Sequence, residues 1–407
     1  MQSVAWGWDL RPASGWFLVG LGLLLGTLKG VSGEAESAPK SGPTCPVSGE
    51  PAVTDLLAPI CQRRDLPAMA GAVVTSQGLQ VLGAVGVRKR GTDVPVTTND
   101  LWHLGSDTKA MTATLAALLV ERGKLRWDST VTEVFPDLAP DFHPDFKAVT
   151  LRHLLAHRAG VVPNLNWARI ARRGTLQEQR LEAVKEGLSR KPRSAPGSAY
   201  LYSNLGYVIA GAMIERVTDR SWEELMRKEI FAPLKMTSAG FGGLGAPGEI
   251  DQPWGHLSGG KPVKDHGPAV DNPPVIGPAG TVHCPLPDWA KFIADQLRGL
   301  RGEPGLLKPE SYQALAKPTF GGDYALGWLA VERAWGGGTV LNHCGCNTMY
   351  YANAWLAPER DFAVLVCANQ GLDAFAATDE AVAALIDWQN HRRSDSETSG
   401  TRSSPAR

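Results

Sequence analysis

The amino-acid sequence predicts an α/β (α+β) fold: an antiparallel sheet flanked by helices, with a mostly helical part inserted into it. Three observations carry this. Short strand-like runs occur at both ends of the body, near residues 69–88 and from about Tyr324 onward; the stretch between, roughly 106 to 240, is dominated by apolar residues at helical spacing; and an amphipathic segment follows the late strands. The 407 residues hold 41 Lys+Arg against 41 Asp+Glu, with 43% hydrophobic residues and 13 Trp. That is enough for one large domain or two average ones, and too apolar for a mostly disordered chain. Balanced charge without a long Lys/Arg run argues against nucleic acid and against polybasic binding to a membrane surface.

In chain order, Gly15 to Leu28 is uncharged and apolar, between Arg11 and Lys29. It is shorter than the roughly 20 residues of a spanning helix and is followed by the small-residue step Val31-Ser32-Gly33. Residues 1–33 therefore read as an export signal, which would make the protein periplasmic or secreted. If the segment is retained, it tethers the domain to a membrane. Residues 34–50, rich in Ser, Pro and Gly, read as a linker. The folded domain is expected over 51–392, with 51–105 and 275–392 as its α/β part and 106–274 as its mostly helical part. Residues 393–407, lacking apolar periodicity, are expected to be a disordered tail. Among six cysteines, Cys45 and Cys61 bracket the linker and the first helix as a candidate staple.

Within the body, MAGAVVTS and LQVLGAVGVR flank Gln77-Gly78 as a hairpin. Met111, Leu115, Leu118 and Leu119 mark a buried helix that starts at Ser106 and closes at Gly123. Thr150 can cap LRHLLAH, and Ser221 with Glu224 reads as a capping box before WEELMRKEI. YALGWLAVERA, GTVLNH, TMYYANAWLA and DFAVLVCAN read as an antiparallel meander, and the segment from Ala374 to Asn390 as a helix covering it.

Three places could carry chemistry. Ser106 and Lys109 stand one helical turn apart at a helix start, where a lysine whose pKa is lowered can activate a hydroxyl and backbone N–H groups can hold an oxyanion. Alone, S-x-x-K is common by chance. Tyr202-Ser203-Asn204 precedes another helix; a phenol serves as base only if a cation such as Lys109 lowers its pKa, and Asn204 can bind an amide or cap the helix. His343-Cys344-Gly345-Cys346 ends a strand-like run. It lacks the matched second pair of a zinc site, since Cys284 beside His283 is the only other cluster. His153 and His157 have i, i+4 spacing, but Leu154 stands where a zincin has Glu, so they read as helix residues with satisfied hydrogen bonds. No metal or organic cofactor is expected. G-x-S-x-G, G-x-G-x-x-G after a strand and the Walker pattern are absent from the sequence.

GSDTKAMTA, LRHLLAHRAG, PGSAYLYSNLGYVIAGAMIERV, APLKM, YALGW, NHCG and PERDFAVLVCAN resemble, in order and spacing, the class C β-lactamases and their esterase and D-peptidase relatives, over about residues 50 to 390. The resemblance implies a β-lactamase/transpeptidase-like fold and a serine hydrolase. It makes Ser106 the acylated nucleophile, Lys109 its activating partner, Tyr202 the general base and later acid, and Asn204 a substrate-amide ligand. It puts His343 where β-lactamases carry the Lys of Lys-Thr-Gly and Gly345 at that motif's Gly, with the backbone N–H groups of Ser106 and Cys346 as oxyanion hole. The implied partners are small esters, D-amino-acid peptides or amides, and β-lactams. Cys346 where relatives often have Gly, and Ala156-His157-Arg158-Ala159-Gly160 in place of Thr-His-Thr-Ser-Gly, are departures that bear on substrate preference.

Overall fold

The computed structural model describes residues 45–400, with side chains to residue 393. The expected leader 1–33, most of the expected linker and residues 401–407 lie outside the described residues.

Seven antiparallel strands form the main sheet: β1 (Val47–Gly49), β2 (Ala68–Thr75), β3 (Gly78–Gly86), β4 (Leu329–Arg333), β5 (Gly338–Cys346), β6 (Tyr351–Ala357) and β7 (Phe362–Ala368). Their order is β1-β3-β2-β7-β6-β5-β4. The early hairpin and the late meander meet where Val74 of β2 pairs with Ala363 of β7 and Met69 with Ala368. Side chains alternate strictly in β7. Ala363, Leu365 and Cys367 enter one apolar cluster, while Phe362, Val364, Val366 and Ala368 enter the other.

Helices bury both faces. The helices Pro51–Arg63 and Phe375–Gly400 cover one through Val53, Leu57, Ile60, Ala377, Ala381 and Leu385. The helix Leu286–Leu300 covers the other with Phe292, Ile293 and Leu297, continuous with the core of the inserted helical part. Each such Leu, Ile or Phe taken from water stabilises the fold by about 1.5–3 kcal/mol before entropy is counted. A small second sheet of Trp102–His103, Val282–Cys284 and Gly240–Phe241 lies where the two parts join.

Two boundaries differ from expectation. The linker is ordered at its end, where Val47, Ser48 and Gly49 pair with Val85, Ala84 and Gly83. Without β1, β3 would be a bare sheet edge with unpaired N–H and C=O groups, and a composition rich in Ser and Pro does not show that non-local need. The tail's first residues continue the last helix to Gly400 instead of being disordered from 393. Extending an existing helix adds one hydrogen bond per residue with no new nucleus, so no apolar face is required. The Thr150 cap forms a full capping box with His153. At Ser221 only half forms: its hydroxyl accepts from Glu224 N–H, while the Glu224 carboxylate pairs with Arg220. That helix then loosens into a π turn at Met226–Phe231.

Cys45 and Cys61 are both reduced, and their thiols are in hydrogen-bond contact. Gly86 N–H on Pro46 O places Cys45, and Cys61 Sγ reaches Leu66 O at 3.4 Å. The bond from Cys61 holds the Cys45 thiol below the ordinary range, making Cys45 the attacking sulfur. With oxidised glutathione, the Cys45 thiolate should displace one glutathione thiolate, and Cys61 should then displace the second from the mixed disulfide. Peptide mapping is expected to show one Cys45–Cys61 link, two hydrogens lighter than the dithiol, with a Tm rise consistent with about 3 kcal/mol for closing a loop of this length. Free alkylation of both thiols after oxidation would exclude the pair.

Candidate active site

Ser106 lies on a tight turn, Gly105–Asp107, that feeds the helix Thr108–Glu121. The helix sequence, TKAMTATLAALLVE, contains no Gly or Pro, is buried almost all round, and stops at Arg122 before Gly123 at φ +66°. Thr108 Oγ1 accepts from Val282 N–H and Thr112 Oγ1 donates to Pro278 O, fixing this helix against residues 277–284. From its first turn, Lys109 Nζ reaches Ser106 Oγ at 2.9 Å, Asn204 Oδ1 at 2.8 Å and Ala279 O at 2.7 Å.

The other wall comes from the segment before the helix Asn204–Thr218. Ser203 is its cap, accepting from Gly206 N–H and donating to Val162 O. Asn204 is therefore free of capping; its Nδ2 donates to Asn164 Oδ1 at 3.0 Å. Tyr202 O–H donates to Ser106 Oγ at 2.8 Å. The structure thus brings Ser106, Lys109, Tyr202 and Asn204 into one hydrogen-bonded cluster.

Lys109 is fully buried, and that burial pulls its pKa well below the ordinary lysine value, with Asp107 opposing in part. A neutral amine has two N–H donors and one lone pair. The two carbonyl oxygens, of Asn204 and Ala279, take the donors, leaving the lone pair for the Ser106 hydroxyl proton. Tyr202 departs from expectation, because burial raises its phenol pKa. Burial disfavours the phenolate, so the phenol is the donor to Oγ.

His343 Nδ1–H donates to Cys344 O at 2.9 Å, and its Nε2 accepts from Tyr324 O–H at 3.1 Å. Burial, then Lys109, lowers its pKa to about 3. Both nitrogens are engaged within the protein, so the imidazole N–H at this lysine position is already committed. Cys344 and Cys346 alternate away from His343 toward the opposite face of the sheet, which separates the His-Cys-x-Cys residues. Among the described residues, no group of three or more His, Cys, Asp or Glu is arranged to hold a metal ion.

Gly105 and Gly345 hold the nucleophile turn against β5. A Cβ on Gly345 would stand 1.8 Å from Leu104 O and 2.6 Å from Ser106 N; one on Gly105, at φ +50°, would stand 2.5 Å from Cys346 N. Bare backbone contact is the reason both must be glycine, and it sets the N–H groups of Ser106 and Cys346 close together.

Several site residues carried no sequence signal of their own. Asn164 precedes a short helix, and Tyr324 was read only as the start of a strand run. Asp107 is buried with both oxygens unpartnered and its pKa raised by burial. His157 is not a helix residue: the helix ends at Leu155, and His157 takes φ +56°. Its Nδ1 accepts from Ser203 N–H, its Nε2 has no partner, and its ring lies 4.4 Å from that of Tyr202 and 4.6 Å from that of Tyr324.

A family model described as Beta-lactamase matches residues 53–387. The chain belongs to that family. Penicillin-binding protein 4 of Amycolatopsis lactamdurans is 33% identical over 42% of this chain and 43% of its own length. Unguisins hydrolase ungD' of Aspergillus campestris (strain IBT 28561) is 28% identical over 84% of this chain and 66% of its own. The chain thus spans less than two thirds of either relative. The octameric penicillin-binding protein homologue from Pyrococcus abyssi superposes with a TM-score of 0.65 at 22% identity, covering 82% of this chain and 77% of that one, a likeness of fold.

The proton inventory predicts how Ser106 reactivity follows pH. Lys109 must be neutral to accept a proton, and burial shifts its pKa in that direction, well below the ordinary lysine value. Covalent labelling of Ser106 by a fluorophosphonate should therefore fall only on the acid side and stay level toward about pH 10. The acid limb should survive in Tyr202→Phe; its disappearance there would return the base role to Tyr202.

Proposed function

We propose that this protein is a serine hydrolase working through a Ser106 acyl-enzyme on uncharged small esters or amides. The observation that carries the reading is one hydroxyl, Ser106 Oγ, held between the buried Lys109 amine at 2.9 Å and the Tyr202 phenol at 2.8 Å. Lys109 takes the Ser106 proton as Oγ attacks the carbonyl. The resulting oxyanion is held by the N–H groups of Ser106 and Cys346. Tyr202 gives its proton to the leaving oxygen or nitrogen and is reprotonated from Lys109, whose Nζ is 4.8 Å from its ring centre. Water then repeats the sequence on the acyl-enzyme, and Asn204 orients an amide or ester carbonyl. Membership of the Beta-lactamase family and a relative named as a hydrolase support acyl transfer to water.

Substrate charge follows from His343. Where β-lactamases carry a lysine, this chain has an imidazole with a pKa of about 3 and no free donor. Among the described residues, Lys109 is the basic side chain in this cluster, and its hydrogen bonds go to Ser106, Asn204 and Ala279. A substrate carboxylate loses a charge-assisted hydrogen bond worth about 1.5–3 kcal/mol. Neutral esters and amides lose nothing. We place D-peptides and β-lactams with a free carboxylate behind them, and place the protein outside the cytoplasm on the apolar run of residues 15–28.

Ser106→Ala should lower turnover at least about a thousandfold and abolish the fluorophosphonate mass adduct while leaving the melting curve in place. An adduct persisting in that variant would overturn the nucleophile. In wild type, KM for anionic substrates should not change between pH 5 and 8, because His343 stays neutral throughout that range. His343→Lys should move the kcat/KM ratio toward carboxylate-bearing substrates by about tenfold or more. Faster hydrolysis of cephalosporins than of every neutral ester tested would defeat the specificity argument.

A further inference from the structure

An oxyanion hole made of two backbone N–H groups works only if their separation is held, since a donor displaced by an ångström loses much of its effect. Here the two donors come from chain segments far apart in sequence, Ser106 on the nucleophile turn and Cys346 at the end of β5. Contact between Gly105 and Gly345 stops them moving closer. Nothing in that contact stops them moving apart.

A chain of buried hydrogen bonds spans the gap behind them. Gly105, just before Ser106, donates its N–H to His103 Nδ1 at 3.1 Å. That bond requires a bare Nδ1, so the ring proton is on Nε2, which donates to Asp271 Oδ2 at 2.8 Å. Asp271 Oδ1 accepts from Asn347 Nδ2 at 2.9 Å, and Asn347 directly follows Cys346. Asn347 Oδ1 in turn accepts from Met349 N–H at 3.2 Å and Tyr350 N–H at 3.1 Å, fixing the turn after β5. The His103 and Asp271 side chains are 0% and 2% exposed, and the Tyr350 ring stacks on His103. Ser106 Oγ, Lys109 and Tyr202 have other partners, so the three bracing side chains stand outside the proton path.

We propose that His103, Asp271 and Asn347 are positioning residues that brace the two oxyanion N–H groups at a fixed separation. The brace rests on the acyl-enzyme reading given above. It joins the residue before one donor to the residue after the other, through a ring, a carboxylate and an amide that are rigid and shielded from water. Charge-assisted bonds on Asp271 make it stiffer than neutral pairs would.

The test exchanges donor and acceptor at one joint. Asp271→Asn keeps an oxygen for His103 but turns an NH2 toward the NH2 of Asn347, breaking the brace without changing its volume. Asn347→Asp added to it restores the joint in reverse, because the new carboxylate accepts from the introduced amide with one oxygen and from Met349 and Tyr350 with the other. The readouts are kcat and KM per titrated active site on a neutral ester, the rate of fluorophosphonate labelling, and inhibition by a boronic acid, whose adduct on Ser106 is tetrahedral. In Asp271→Asn, kcat, the labelling rate and boronate affinity should fall together by about tenfold to a hundredfold with KM within about twofold. The double variant should recover to within about threefold of wild type. If Asp271→Asn does not fold, Asn347→Ala cuts the same joint and should show the same split.

Equal kcat in Asp271→Asn and wild type, or an equal loss in the single and double variants, overturns the brace and leaves the acyl-enzyme standing. Failure of wild type to label at Ser106 overturns both.

Discussion

The site depends on a lysine kept out of water. Lys109 is fully buried, and burial penalises a charged ammonium there, opposed in part by Asp107 among surroundings that are otherwise neutral carbonyls and a hydroxyl. Neutrality resolves this. Two carbonyls orient the amine, and the remaining lone pair is aimed at Ser106. Burial acts on its neighbours as well, raising the pKa of Tyr202 and, with Lys109 adding to the effect, lowering that of His343. Asp107 completes the pattern, a carboxyl beside the nucleophile whose pKa burial raises well above the ordinary value.

The architecture exists to bring four separate segments to that amine. The helix carrying Lys109 is pinned by Thr108 and Thr112 to residues 277–284, Tyr202 hangs before a helix capped by Ser203, and β5 is pressed onto the Ser106 turn by two glycines. None of these contacts is large in area. Their value is geometric, because the sheet and the inserted helices form rigid walls and the site lies in the seam between them.

Much of this is legible in the sequence, for identifiable reasons. Period-2 alternation in DFAVLVCAN and the apolar spacing of TKAMTATLAALLVE are local signals, and the strands and helix are found where those patterns stand. The spacing of Ser106 and Lys109 is equally local. What stays hidden is non-local. Whether residues 47–49 form a strand depends on β3 needing a partner, and the engagement of His343 Nε2 depends on Tyr324, nineteen residues earlier. The charge state of Tyr202 could not be read from its neighbours in the chain, because it depends on whether Lys109 is buried. His157 misleads for a related reason: its spacing from His153 is helical, yet the backbone turns left-handed at that residue and its ring lies against four tyrosines.

The central pairing of the sheet also sets a timetable. Strand β2 is synthesised early, but the partner on its open side, β7, follows about 290 residues later. At ribosomal speeds of roughly 5–20 residues per second, β2 waits on the order of 15–60 s with an apolar edge unpaired, protected only by its hairpin with β3. Closing so long a loop makes the sheet a late and slow event, whereas the inserted helices can consolidate during the wait. The seam that holds Ser106 is therefore completed last, and a chain released before β7 emerges has the nucleophile helix and β5 but no closed sheet joining β5 to the early hairpin.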